Sequence, residues 1–331
     1  MLKLFNSNHP IGFIYLLLYA FIVKGSFYFG GFELNYGSDS ILSKPFFDLL
    51  NNTTIPQWLI HTFAILMVYF QAVIFNQILQ RFRIFERQSF MPGLLYLTFS
   101  SFIPEFVILS PVNVAYTFII PYFNNLMKLP EEGQALEGLL LTGFFVAMAS
   151  LFYFPASFLV LVLLYAMFVL TTPSLRELLM ILIGFVLPYY FVSIYFFLID
   201  QLPYYWKLLL NVFPEEVKVQ AQDYGLLILA GFMLLLTIIG YFRALKIPQQ
   251  FIILFRKYLV VFLVFIVIGI GFSFFINGNK LLFAYMFLIP TSIFIGSIFD
   301  TEKPTFWQRV LFIVFLLIIA FLQVKYHYNI V

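Results

Sequence analysis

The chain has 331 residues, of which 63% are hydrophobic and 10% are charged, and its formal net charge at pH 7 is +3. Soluble domains carry about 25% charged residues, so this composition excludes an ordinary soluble domain, and the small net charge provides no basic surface for nucleic acid. The absence of cysteine excludes disulfides, thiolate metal sites and thiol chemistry, and three scattered histidines argue against a histidine-rich metal centre.

Repeated apolar runs predict a polytopic all-α membrane protein, since about 20 helical residues cross the hydrocarbon core of a bilayer. We expect about eleven transmembrane spans in a single integral membrane domain over residues 1–331. Two pairs of spans are joined by very short turns, at Ser110-Pro111 and Phe154-Pro155, where proline suits the first turn of the following helix. The predicted spans are 11–29, 55–76, 92–110, 112–127, 138–154, 156–172, 178–198, 224–242, 258–276, 281–299 and 310–324.

The distribution of lysine and arginine predicts an N-terminus on the cytoplasmic side and a C-terminus outside. In this orientation 12 of the 18 lysines and arginines fall in inner segments, five fall in outer segments, and Lys24 lies within a span. The largest contributions come from QRFRIFERQ (80–88) and RALKIPQQFIILFRK (243–257). Two long connections then lie outside, at 30–54 and 199–223, and long loops on a rigid scaffold are frequent locations of function.

Both long outer connections contain a short segment with surface-helix character. SKPFFDLLNN (43–52) is typical of a short helix with Ser43 as its cap and Pro45 in its first turn, and it would turn Phe46 and Leu49 toward lipid at i,i+3. LPYYWKLLLNVF (202–213) is rich in aromatic residues and leucine and has one lysine. It predicts either an amphipathic helix along the membrane surface or an ordinary belt of interfacial aromatic residues.

Three ionisable residues fall inside predicted spans, namely Lys24 in the first, His61 in the second and Glu105 in the third. A charge at the centre of a span costs roughly 2.5–3.5 kcal/mol, so such residues tend to be paired or functional. At about 1.5 Å per residue, all three lie about 20 Å from the inner surface, which predicts one polar layer below the outer surface. Gln57 shares a helix face with His61, and Ser101 shares one with Glu105, each at i,i+4.

Two interpretations of this layer remain open. In the first, Lys24 and Glu105 neutralise each other and His61 bonds to a neighbouring helix, so the layer is structural. In the second, the layer is a polar pocket, open outward, that receives an anionic headgroup or a proton. Pro104 fits the second interpretation, because a proline kinks its helix and frees a carbonyl.

The first outer connection carries Glu33 and Asp39 shortly after the first span. A carboxylate that emerges from the membrane is suited to act as a general base or to hold a divalent cation, and solvated loop acids are the alternative. The spacing of the two acids matches no calcium loop. We therefore predict no cofactor and no dedicated metal site. The carboxylates of Glu33 and Asp39 are the one place where a divalent cation could bind.

The N-in topology, the acids directly after the first span and the long outer loop after the seventh span resemble the layout of GT-C-type glycosyltransferases. The resemblance covers residues 1–224 and leaves 225–331 as accessory C-terminal spans. In that family a lipid-linked sugar donor is used at the outer face, and a carboxylate in the first outer loop acts as base or metal ligand. The resemblance implies a transferase or polymerase for a polyprenyl-phosphate-linked sugar, with Glu33 or Asp39 in the catalytic role.

A second resemblance rests on NQILQRFRIFERQSFMPGLLYLTFSSFIPEFVILSPVNVAYTF (76–118), LFYFPASFLVLVLL (151–164) and GFVLPYYFVSIYFF (184–197). These segments are similar to an uncharacterised family of polytopic bacterial inner-membrane proteins, often labelled as carotene monooxygenases. Such an oxygenase needs an iron site built from several histidines, and the three distant histidines of this chain do not provide one. The resemblance implies a bacterial inner (cytoplasmic) membrane and carries no established activity.

Three functional classes remain open. The first is a glycosyltransferase with Lys24 and His61 near a phosphate, although phosphate recognition favours arginine and the outer loops contain none. The second is a non-catalytic membrane subunit or scaffold that binds other envelope membrane proteins. The third is a transporter in which Lys24, His61 and Glu105 relay a proton or a substrate. Membrane lipids are expected partners in all three classes, and nucleic acid is not.

Overall fold

A computed structural model describes residues 5, 9–25, 40–85, 87–102, 107–130, 136–210, 224–246, 252–273, 283–301 and 305–327. These residues form 13 α-helices and two short 3-10 helices and contain no β-strand, which confirms the prediction of an all-α protein. The α-helices are α1 (Ile11–Lys24), α2 (Ser43–Asn51), α3 (Gln57–Arg81), α4 (Met91–Phe99), α5 (Pro111–Lys128), α6 (Leu136–Phe152), α7 (Leu159–Leu170), α8 (Leu175–Leu198), α9 (Leu202–Leu210), α10 (Tyr224–Ala244), α11 (Ile252–Ser273), α12 (Leu288–Phe299) and α13 (Phe306–His327). The 3-10 helices are Phe154–Phe158 and Tyr285–Phe287.

Within the described ranges, four stretches of helix are long and apolar enough to cross a membrane, which indicates a membrane protein. These stretches are Gln57–Arg81, Leu175–Leu198, Ile253–Ser273 and Phe306–Val324. Shorter apolar helices, of 10–17 residues, are Ile11–Lys24, Leu136–Phe152, Phe154–Leu170, Leu229–Ala244 and Tyr285–Phe299. Each of the predicted spans contains a helix, whereas the number of spans and their orientation stay predictions.

The third predicted span, 92–110, is not one continuous helix. α4 ends at Phe99, and the hydroxyls of Ser100 and Ser101 both donate to the carbonyl of Leu97, at 2.9 and 2.7 Å. Serine side chains that bond to nearby carbonyls in this way compete with helix continuation. The nine residues of α4 rise about 13 Å, which is less than half of the hydrocarbon thickness of about 30 Å. The next helix in the described residues is α5, whose N-cap is Ser110.

Glycines allow close crossings between helices. A Cβ atom at Gly184 of α8 would lie 2.1 Å from the carbonyl oxygen of Leu140, and one at Gly143 of α6 would lie 2.3 Å from that of Ile181. α10 approaches α12 in the same manner at Gly240, where a Cβ would lie 2.0 Å from a backbone oxygen. Small residues at crossing points are typical of membrane helices, because association there depends on close packing.

Candidate functional site

Lys24 is the last residue of α1, and its side chain is only 1% exposed. Its ammonium group donates a hydrogen bond of 2.8 Å to the carbonyl oxygen of Ser100. Ser100 directly follows α4, where the last carbonyls of a helix have no partner within the helix and the helix dipole favours a cation. Lys24 therefore does not face lipid, and its charge lies at the C-terminal end of another helix.

Side chains from two further helices donate hydrogen bonds to the last carbonyl groups of α1. Nε2 of His61 in α3 lies 3.1 Å from the carbonyl oxygen of Lys24, and this nitrogen must donate because a carbonyl only accepts. Nε2 of Gln323 in α13 donates to the carbonyl of Val23 at 2.7 Å. These two bonds satisfy carbonyls that are left without an intrahelical partner at the end of α1.

Tyr285 supplies a second donor to the carbonyl of Ser100, with its hydroxyl at 3.3 Å. The backbone of Tyr285 is held in turn by Tyr116 of α5, whose hydroxyl donates to the Tyr285 carbonyl. Three elements therefore bond to the end of α1, namely α3, the end of α4 and α13, and the 3-10 helix before α12 bonds to Ser100 beside them. We name this group of residues the Lys24 junction, and it comprises Lys24, His61, Ser100, Tyr285 and Gln323.

The other residues of the predicted polar layer make no bond within the Lys24 junction among those described here, or lie outside the described residues. Ser101 is 1% exposed, and its hydroxyl bonds to α4 rather than to another helix. Gln57 is exposed, because α3 begins at this residue and its first turn extends past the packed helices. Glu105 and Pro104 lie outside the described residues, so the pairing of Glu105 with Lys24 stays a prediction.

The two candidate catalytic acids, Glu33 and Asp39, also lie outside the described residues. Their roles as base or as ligands of a divalent cation therefore stay predictions. Within the part of the chain that the structure describes, no group of three or more His, Cys, Asp and Glu residues could hold a metal ion.

The described part of the first long connection attaches to the turn between α6 and the 3-10 helix Phe154–Phe158. The N–H of Leu42 donates to the carbonyl of Leu151 at 3.0 Å. The N–H of Phe154 donates to the hydroxyl of Ser40 at 3.3 Å. Residues 40–42 are therefore fixed by two hydrogen bonds to the same turn.

α9 of the second long connection packs against the same place. Ile41, Tyr205 and Leu208 belong to one buried apolar cluster, and each is 5% exposed or less. Lys44 places its ammonium group 5.7 Å from the centre of the Tyr204 ring, a distance at which a cation is attracted to an aromatic face. Burial raises the pKa of the Tyr205 hydroxyl. We give the name loop junction to three parts together: residues 40–44, α9, and the turn from α6 into the 3-10 helix Phe154–Phe158.

Sequence reasoning did not identify three members of the Lys24 junction. The role of Ser100 depends on its backbone carbonyl, which residue type does not reveal. Tyr285 is one of 21 tyrosines, and nothing in its neighbourhood distinguishes it from an interfacial aromatic residue. Gln323 did carry a signal, since an amide within the apolar run FLLIIAFLQV (315–324) needs a hydrogen-bond partner.

No protein-family model, no curated protein and no solved structure matches this chain. The resemblances to GT-C-type glycosyltransferases and to the uncharacterised inner-membrane family therefore stay predictions.

Proposed function

We propose that this chain is an integral membrane protein of the bacterial cell envelope that transfers a sugar from a polyprenyl-phosphate carrier at the outer face of the inner membrane. The loop junction is the observation that carries the proposal. Asp39 directly precedes Ser40, whose hydroxyl accepts the N–H of Phe154, and α9 packs beside this attachment. The residues that follow Asp39 are thus anchored next to the other long connection, which supports a site shared by the two connections.

In the proposed reaction, Glu33 or Asp39 accepts the proton of the acceptor hydroxyl. The acceptor oxygen forms a bond to the anomeric carbon of the sugar, and the bond from that carbon to the carrier phosphate breaks, with its electron pair leaving on the phosphate. The other carboxylate would hold a divalent cation that neutralises the leaving phosphate. Lys44 is exposed at the loop junction and is better located for a phosphate than Lys24, whose ammonium group is buried against Ser100.

The proposal is tested with Glu33→Gln and Asp39→Asn in cells whose growth depends on this protein, with membrane abundance measured in parallel. We expect at least one variant to be abundant and inactive, because an amide neither accepts the proton nor binds the cation as a carboxylate does. Asp48→Asn is the matched control, since Asp48 is an exposed acid of α2. Full activity of both loop variants at normal abundance would eliminate the transfer reaction.

The Lys24 junction favours a second function, a non-catalytic subunit or scaffold of an envelope assembly. Both Lys24 and His61 donate to backbone carbonyls, which gives the polar residues of these spans a structural task. This function predicts that Glu33→Gln and Asp39→Asn are tolerated, whereas Lys24→Met lowers abundance. The transporter reading stays a prediction, since Glu105, the third residue of its proposed relay, lies outside the described residues.

A further inference from the structure

A cavity of about 290 Å³ lies between α10, α11, the 3-10 helix before α12 and the end of α4. Its lining is almost entirely apolar. Leu234 and Ile270, which border it, are 49% and 39% exposed, whereas Tyr285 and Leu288 are 3% and 4% exposed. The cavity therefore leads from an exposed flank of the helix bundle inward to a buried wall that contains Tyr285.

The cavity is unsuited to water. Its two threonines, Thr237 and Thr291, donate their hydroxyls at 2.7 Å to backbone carbonyls four residues earlier, those of Met233 and Phe287. A buried water needs two to four polar partners, and the almost entirely apolar lining of this cavity does not offer them. An empty apolar cavity is destabilising, because its walls lack contact partners.

The surroundings of the cavity indicate what fills it. Of the two bordering segments, Ile253–Ser273 is long and apolar enough to cross a membrane, and Leu229–Ala244 is a shorter apolar helix beside it. In a membrane, hydrocarbon would therefore lie beside Leu234 and Ile270. We propose that the cavity binds one hydrocarbon chain of a membrane lipid, which enters between Leu234 and Ile270 and ends against Tyr285. This binding does not depend on sugar transfer, because none of these residues belongs to the loop junction.

The binding is tested by photolabelling of the full chain in phosphatidylglycerol nanodiscs. The discs contain a phosphatidylglycerol analogue with a diazirine group in its acyl chain, and labelled residues are identified by mass spectrometry. We expect label on Tyr285 and Leu288, which are too buried to meet lipid that stays outside the bundle. Leu317 of α13 is 63% exposed and is the positive control. Label on Leu317 without label on Tyr285 or Leu288 would overturn the proposal.

A cavity-filling variant provides the second arm. Ala230 lines the cavity, so Ala230→Phe should reduce the label on Tyr285 about five-fold or more, whereas Ala320→Phe on the exposed side of α13 should not. Unchanged label in Ala230→Phe, or an equal loss in Ala320→Phe, would contradict the proposal. If Ala230→Phe does not fold, the labelling pattern of the natural chain decides alone.

The source of the chain is determined by adding excess polyprenyl phosphate to the same nanodiscs. A fall in the label on Tyr285 identifies an isoprenoid chain as the preferred occupant. Persistent label on Tyr285 identifies the acyl chain of a phospholipid. Either result supports a hydrocarbon-chain site. The outcome does not depend on whether Glu33→Gln loses transferase activity, so this proposal and the proposed function can fail independently.

Discussion

The ammonium group of Lys24 lies 2.8 Å from the carbonyl oxygen of Ser100, at the C-terminal end of α4. A cation is thereby placed at the negative end of a helix dipole, at the end of an apolar helix that is predicted to lie in the membrane, where an isolated charge would be costly. The carbonyl of Lys24 is itself contacted by His61 of α3 at 3.1 Å. The lysine that interrupts the first apolar segment therefore joins α1, α3 and α4.

Lys24→Met keeps the length of the side chain and removes the donor to Ser100. We expect the free energy of unfolding to fall by about 1.5–3 kcal/mol, the usual contribution of a hydrogen bond to a charged group. Unfolding would be measured in detergent micelles with an increasing fraction of dodecyl sulfate. Lys207→Met, at an exposed position of α9, is the matched control and should change stability by less than about 0.5 kcal/mol. Equal stability of the two variants would show that the bond to Ser100 contributes nothing.

Tyr285→Phe removes the second donor to Ser100 and should cost about 0.5–1.5 kcal/mol alone, because Lys24 still serves the carbonyl. Combined with Lys24→Met, it removes both of these donors. The double variant should therefore lose at least about 0.5 kcal/mol more than the sum of the single losses in a double-mutant cycle. Tyr122→Phe is the control, since the Tyr122 hydroxyl bonds elsewhere, to Leu159, and should be additive with Lys24→Met. Additivity for Tyr285→Phe would contradict a shared acceptor.

Composition and segment length were sufficient to predict the all-α fold class. They also predicted that Lys24 and His61, two members of the Lys24 junction, lie at the same depth. Apolar runs as long as those of this chain are compatible with few folds other than membrane helices. Depth within a span follows from the number of residues to its end, so Lys24 and His61 could be assigned to one level. The structure brings the two residues into contact at 3.1 Å.

The hydrogen bond between Lys24 and the Ser100 carbonyl could not be predicted in the same way. A carboxylate such as Glu105 is visible in a sequence, whereas a carbonyl at the end of a helix becomes a partner only because the helix ends there. Hydropathy does not detect the turn at Ser100 and Ser101, since both hydroxyls bond back to Leu97 and are compatible with apolar surroundings. The contact between the two long connections was also not predictable, because it depends on how α6 turns into the following 3-10 helix.

Gly184→Val should separate α6 from α8. A Cβ at Gly184 would already lie 2.1 Å from the carbonyl oxygen of Leu140, so the two backbones would have to move apart. We expect a loss of about 1–3 kcal/mol or more in the same unfolding experiment. Gly231→Val in α10 is the matched control, because no described atom lies within 4 Å of its Cβ position. Equal effects of the two substitutions would indicate an intrinsic cost of valine rather than a close helix crossing.

α9 should lie along the membrane surface rather than in the hydrocarbon core. Tyr205 and Leu208 are 3% and 5% exposed, whereas Trp206 is 54% exposed and is adjacent to Lys207. A short helix with an aromatic residue and a lysine on its free side suits the level of the lipid headgroups. Trp206 is therefore expected near the headgroups.

The depth of Trp206 can be measured by fluorescence, since Trp58→Phe and Trp307→Phe leave it as the last of three tryptophans. Its emission should be quenched more strongly by phospholipids brominated near the headgroup than by those brominated near the chain end. Stronger quenching by the deep bromine would place α9 in hydrocarbon, and quenching by aqueous acrylamide alone would place it in water. Either result would contradict the surface location. Tyr205→Ala in the same background removes a buried contact of α9 at the loop junction. We expect it to weaken quenching of Trp206 by the lipid brominated near the headgroup, because this contact holds α9 at that depth.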